Sequence, residues 1–304
     1  MSLLVVGSVA LDTIETPFGK ADDAFGGSAS FLATCASYFY RNIHLVGVVG
    51  EDFPTANIDF LKSKEINLDG LQIIKGGKTF RWSGRYHFDL NTRDTLDTQL
   101  NVFEHFNPII PDAAKNSEYV ALGNIHPSLQ LQVLGQVTKP KLVIADTMNL
   151  WINNTYDDLV KTLAKVDLLI INDSEAREIS KDFNLIRSAK KIMEMGPHTL
   201  IIKKGEHGAL LFTQDSIFSA PAYPLESIFD PTGAGDSFMG GFAGYIAKHD
   251  KFDMETLKRA VIYGSTVASY CVEQFSLERF STLTYPEIES RYKQFRKLSQ
   301  FEEK

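Results

Sequence analysis

Eight consecutive residues, Phe229-Asp230-Pro231-Thr232-Gly233-Ala234-Gly235-Asp236, combine an anion trap with a base. The glycines flanking Ala234 let successive amide N–H groups face one concavity. The small, apolar run from Phe238 to Ile246 predicts a buried helix that starts there. Amides at a helix N-terminus, with the helix dipole behind them, hold anions. Asp236 is the odd member, because a carboxylate repels a resting phosphate. A general base that takes a hydroxyl proton, beside amides that stabilise a transferring phosphoryl group, accounts for both features. The plainer alternative is a helix start with glycines for the turn and Asp236 as an acid that offsets the dipole.

The elements that must position these residues are those of an α/β chain. Leu3 to Val6, Ile43 to Val49, Tyr119 to Leu122, Leu142 to Ala145, Leu168 to Ile171 and Thr199 to Ile202 are short apolar runs that predict strands. Helical patterns follow several of them, over Pro54 to Lys62, Pro127 to Val137 and Asp157 to Lys165, which favours a parallel sheet. Polar residues recur just past the strand ends: Asp12, Asn124, Asp146, Asn172 with Glu175, and Lys203. Ligands of open α/β sheets bind outside the carboxyl ends of the strands, so the recurrence points to one active edge.

Each of these positions also has a bland reading. Asp12 could hold substrate hydroxyls or be a turn residue. Gly26-Gly27 ahead of the helix Phe31 to Tyr40 allows close backbone approach by a ligand, with Ser28 or Ser30 as caps. Asn172 and Glu175, three apart on an opening helix turn, could hold magnesium-bound water near phosphates or simply form a capping box. Lys203 precedes a glycine turn, Gly205 to Gly208, that could border a nucleotide or merely close a hairpin. On the long helix Met254 to Val272, Gly264 and Ser265 could leave room for a flat base or allow close helix packing.

The alternation breaks once. From Thr79 to Asp89 the even positions include Phe80, Trp82, Tyr86 and Phe88, and the odd ones are polar. Period two predicts a strand with two unlike faces, part of a small antiparallel side sheet built from roughly 13–25 and 71–105 and inserted into a single 304-residue domain. Asn91 to Gln99 is expected to be a loop of this lid. Phosphoryl transfer gives a lid something to do, since it excludes water. Gly77-Lys78-Thr79 is not a P-loop: position 72 is glutamine, and a strand follows instead of a helix.

Composition excludes other classes. A net charge of −7, with no basic block, argues against nucleic-acid or anionic-membrane surfaces. Cys35 and Cys271 lie apart in apolar stretches, so reduced buried thiols are expected rather than zinc or disulfides. The N-terminal stretch lacks a signal-peptide pattern and no run approaches a membrane span, so a cytoplasmic protein is expected.

Five signals stand in one order and spacing: Gly7 to Asp12, Gly26-Gly27, Asn172 to Glu175, the Gly205/Gly208 turn, and Asp230 to Asp236. In this the chain resembles, over nearly its whole length, the PfkB (ribokinase-like) family of carbohydrate and nucleoside kinases. The resemblance implies a three-layer α/β/α sandwich with a mostly parallel sheet and a β lid, often dimerising through the lid. It implies an ATP- and Mg2+-dependent kinase acting on a hydroxyl of a small sugar or nucleoside. By the same likeness Asp236 is the base, and the amides of Gly233, Ala234 and Gly235 form the anion hole. Asp12, Gly26, Gly27 and Asn124 contact the acceptor. Asn172, Glu175, Lys203, Gly205, Gly208 and Ser265 serve ATP, with Glu175 holding Mg2+ through water. Asp230 and Thr232 match positions that bind a monovalent cation such as K+ in some members.

Two positions depart from the ribose-site pattern: Phe31 stands where an asparagine is usual, and Ala10 where a polar group is usual. An aromatic wall there would suit a nucleoside better than ribose. A non-catalytic nucleotide or metabolite sensor of the same fold is the alternative. A dinucleotide-dependent oxidoreductase is disfavoured, because Phe238 stands where its third glycine would fall.

Overall fold

The strand Leu3–Val6 is fully buried on both faces, as a strand must be when helices cover both sides of a parallel sheet. Leu3 and Val5 point into one apolar core, Leu4 and Val6 into a second on the other face. The structure, a computed structural model, describes residues 1–300. In chain order the strands are β1 (Leu3–Val6), β2 (Ala10–Thr16), β3 (Gly19–Gly26), β4 (Ile43–Gly50), β5 (Ile66–Ile74), β6 (Phe80–Tyr86), β7 (Arg93–Gln99), β8 (Tyr119–Leu122), β9 (Leu142–Ala145), β10 (Leu168–Asn172), β11 (Thr199–Lys203), β12 (Ala209–Phe212) and β13 (Ile217–Ala220).

Nine of them form one sheet in the order β13-β12-β11-β10-β9-β8-β1-β4-β5. The pairs from β11 through to β5 are parallel, and β12 and β13 join antiparallel. Helices Ser28–Ala36, Ala234–His249 and Met254–Cys271 supply the core on one face. Helices Pro127–Leu134, Tyr156–Leu163, Asp173–Ser180 and Leu185–Met193 supply the other. This is the expected α/β/α sandwich. Because the strands run parallel, the residues just past β1, β8, β9, β10 and β11 emerge on one edge. Among the described residues no helix is long and apolar enough to cross a membrane.

The second sheet has the order β3-β2-β6-β7. It is mixed rather than antiparallel: β2 and β6 run parallel, and β3 and β7 flank them antiparallel. Residues 71–74, expected in the lid, belong instead to β5, the edge of the large sheet. Arg93–Gln99, expected as a loop, is a strand. It is exposed along its length, so neither face carries the apolar alternation that marks a strand in sequence. Phe88, expected on the strand's inner face, lies beyond the end of β6 and is 88 % exposed.

Candidate active site

The helix Ala234–His249 begins at Gly233, whose φ of 75° is a left-handed conformation that favours glycine. A side chain there would also meet the Phe31 ring 2.5 Å away. Phe31 is therefore the floor of this turn and is 2 % exposed, so the aromatic ring expected as a wall of the acceptor place lies under the anion turn. Asp236 lies in the first turn of the helix, and its Oδ1 is shut off from solvent without a hydrogen-bond partner among the described residues. Buried polar groups normally have partners, so an orphaned carboxylate oxygen marks a place for an incoming group. The Ala234 amide, expected in the anion hole, donates to the Pro231 carbonyl at 3.2 Å. The Gly233 and Gly235 amides find no acceptor within the turn among the described residues.

Beside this turn stands Lys203, the last residue of β11. Its Nζ lies 2.7 Å from where a Cβ on Gly235 would sit and 3.8 Å from Asp146 Oδ2. Gly235 thus makes room for an ammonium at a helix N-terminus, where the dipole already disfavours a cation. Two positive contributions facing one space leave it suited to an anion.

Asn172 and Glu175 form a capping box. The Asn172 side chain accepts from the Glu175 amide at 2.8 Å, and Glu175 Oε2 accepts from the Asn172 amide at 2.7 Å. The bland reading of this pair is real, and it leaves Glu175 Oε1 outside the cap. Asp12 sits within β2, not past the end of β1, opposite Ala24. Its carboxylate fills the space a side chain on Gly26 would take. Gly27 (φ 95°) packs against the Ser8 carbonyl, so both glycines have an internal reason. Neither Ser28 nor Ser30 caps the helix. Instead Ser28 Oγ accepts from the Ser8 amide and Ser8 Oγ from the Ser28 amide, at 3.1 and 3.0 Å. That pair fixes the β1 end to the helix start.

Asp230 is fully buried, with Oδ1 accepting from the Thr232 amide at 2.8 Å and Oδ2 from the Ser276 amide at 2.9 Å. Those two hydrogen bonds tie the loop to the segment around Ser276. Asn124 uses its amide on Trp151 Nε1 (2.8 Å) and Met148 Sδ (3.0 Å), next to a half-buried indole. Gly208 closes the β11–β12 turn at φ 84°. Gly264 packs against Phe238 of the neighbouring helix, and half-buried Ser265 makes no hydrogen bond to the site among the described residues. Close helix packing is therefore the role of Gly264.

Electrostatics gather these residues. Burial, the largest cause each time, pushes Asp12, Glu175 and Asp236 up to about 7 and also raises Asp146 and Asp230. Asp146 adds to the rise of Glu175 and Asp236, while Asp230 and Asp236 add to that of Asp12. Lys203 and Arg93 oppose it. Charges register on one another only when close, so these carboxylates and the two cations lie within electrostatic reach of one another along the active edge. The sequence named Asp146 only as one of the polar residues just past the strand ends, without a role, and Arg93 not at all. Asp146 follows a strand as Asn172 does and was legible by that rule; Arg93 comes from the lid. An excess of carboxylate over cation suits a divalent ion. Among the described residues no three His, Cys, Asp or Glu side chains converge on a point, which fits Mg2+ carried on phosphates through water better than a protein cage.

The pfkB family carbohydrate kinase model matches residues 3–282. A cytidine kinase of Thermococcus kodakarensis is 31 % identical over 257 residues, covering 81 % of this chain and 88 % of that protein. The crystal structure of the Methanocaldococcus jannaschii nucleoside kinase, described as an archaeal member of the ribokinase family, superposes with a TM-score of 0.77 at 22 % identity, over 96 % of this chain and 98 % of that one. A ribokinase II of E. coli in complex with ATP and Mg2+ gives 0.78 at 18 % identity, over 96 % and 99 %. The fold and the sequence agree, and the chain belongs to the pfkB family of carbohydrate kinases.

Proposed function

We propose that the protein transfers the γ-phosphoryl group of ATP to a hydroxyl of a nucleoside, with Asp236 as general base. The observation that carries this reading is the half-buried Asp236, whose carboxylate keeps one oxygen shut off from solvent and unpartnered among the described residues, at the mouth of a helix N-terminus faced by Lys203. A carboxylate held near 7 can take a proton at neutral pH and release it again. Asp12, within reach of Asp236's field, would hold the acceptor hydroxyls. Lys203 and the Gly233 and Gly235 amides would take the γ-phosphoryl charge as it forms, with no reorganisation at the moment of reaction. Asp146 keeps Lys203 in place. Glu175, its other oxygen tied in the cap, would orient water on the nucleotide's magnesium, which supplies charge neutralisation along the phosphates.

The nucleoside class is supported by the cytidine kinase likeness over most of both chains. Incubating the protein with ATP, Mg2+ and a panel of cytidine, other nucleosides, ribose and fructose tests it. ADP release with nucleosides and little with free sugars is expected. A preference for a free sugar would overturn the acceptor class, and no turnover with any acceptor would overturn the reading.

A further inference from the structure

The lid carries three arginines on β6 and β7, and they differ in one respect. Arg81 pairs with Asp23 and Asp52, and Arg85 with Glu15. Arg93, the first residue of β7, forms no ion pair among the described residues. Yet Arg93 stands at the end of the lid that rests on the active edge. Tyr86, its partner across the strand pair, accepts a hydrogen bond from Thr232 Oγ1 at 3.2 Å. Asn91, two residues earlier, has Oδ1 only 2.8 Å from where a Cβ on Gly205 would stand. The Arg93 guanidinium lies 5.6 Å from the centre of the Trp82 ring, which limits the directions it can take.

The lid is thus seated at two points, on the loop that carries the anion turn and on the glycine turn after β11. The Arg93 guanidinium meets the Tyr86 hydroxyl at the first of these points and has no acidic partner among the described residues, and its field reaches Asp12, Asp236 and Glu175 alike. Those three mark the acceptor side, the base and the phosphate side. Such a fork suits a planar or tetrahedral oxyanion, which it can grip through two N–H groups.

We propose that Arg93 is the lid's contribution to phosphoryl transfer, gripping the γ-phosphoryl group of ATP as it crosses to the acceptor. This rests on reading the site as a nucleoside kinase. In the step, the acceptor hydroxyl proton passes to the Asp236 carboxylate and the acceptor oxygen bonds to the γ-phosphorus. The bond from that phosphorus to the β–γ bridging oxygen breaks, and its electron pair leaves on ADP. The charge on the three equatorial oxygens is what Arg93 meets, so transfer requires the lid to be down.

The test compares full-length wild type, Arg93→Ala, Arg93→Lys and Arg85→Ala. Turnover is followed with cytidine, and the binding of Mg2+ with ADP and with the non-hydrolysable β,γ-imido analogue of ATP is measured by calorimetry. Arg93→Ala is expected to lower kcat by about 10³-fold, with the KM for cytidine within about threefold. It should weaken the analogue about tenfold while leaving ADP unchanged, as loss of one charge-assisted pair to the γ-phosphate requires. Guanidinium ion in solution should restore part of the Arg93→Ala rate. Arg93→Lys should remain impaired, because an ammonium is a point charge. Arg85→Ala should turn over like wild type. Loss of less than threefold in Arg93→Ala, or equal weakening of ADP and analogue, overturns the proposal. If wild type phosphorylates nothing, the kinase reading fails instead, and the analogue-versus-ADP comparison still decides Arg93.

Discussion

Lys203 Nζ occupies the space that a side chain on Gly235 would need, 2.7 Å from the position of its Cβ. The far end of a flexible lysine can move, so Gly235→Ala should fold with little loss of stability while displacing the ammonium from the anion turn. We expect kcat to fall at least about tenfold, the scale of a lost charge-assisted contact, with a thermal midpoint close to wild type. Gly233→Ala should behave in the opposite way. Its φ of 75° and the Phe31 ring leave no room for a Cβ, so a loss of about 1–3 kcal/mol is expected in denaturant titrations. If both variants lose stability equally, Lys203 is not placed as described.

Glu175 serves the helix cap and, in the proposed mechanism, the nucleotide's metal. Glu175→Gln separates the two, because a glutamine oxygen still accepts from the Asn172 amide. Helix stability should survive. The Mg2+ concentration for half-maximal rate should rise about tenfold, as for loss of an outer-sphere metal partner. A magnesium titration reads this directly. An unchanged titration would leave Glu175 with only its capping role.

The pH dependence follows from the direction of the Asp236 shift. Burial raises its folded value to about 7, above the ordinary carboxylate range it keeps when unfolded. Between about pH 4 and 7 the unfolded chain has released this proton and the folded protein still holds it, so ligand-free stability falls as pH rises through that window. Asp236→Asn has no proton to lose. The variant should therefore gain on wild type across the same window, by about 1–4 kcal/mol at most, and the gap should stay flat above it. Denaturant melts at several pH values measure this. The rate should run the other way: wild-type kcat/KM should decline as pH drops below about 7, because the base becomes protonated.

Much of this site was legible because a parallel sheet delivers its strand ends to one edge. Asp236, Lys203, Asn172 and Glu175 each follow a run of apolar residues or open a helix, and the structure brings them together. Asp12 was legible as a residue but not as a strand residue, since β2 starts only three residues after Gly7 and carries no alternation of its own. Arg93 was not legible. Its strand is solvated on both faces, and its nearness to Asp236 comes from tertiary seating of the lid across 143 positions of sequence, which no periodicity reports. Phe31 was read as an aromatic wall of the acceptor place, and a sequence cannot say which helix a ring will lie against. Here it lies under Gly233.

The most direct measurement is turnover by Asp236→Asn under saturating ATP, Mg2+ and the best acceptor, alongside its affinity for ADP. The account predicts a fall in kcat of about 10³-fold, within the range for a lost general base, with ADP bound as tightly as by wild type. Activity retained within tenfold of wild type by a protein that binds ADP normally would contradict it, because the Asp236 carboxylate would then have no part in taking the proton.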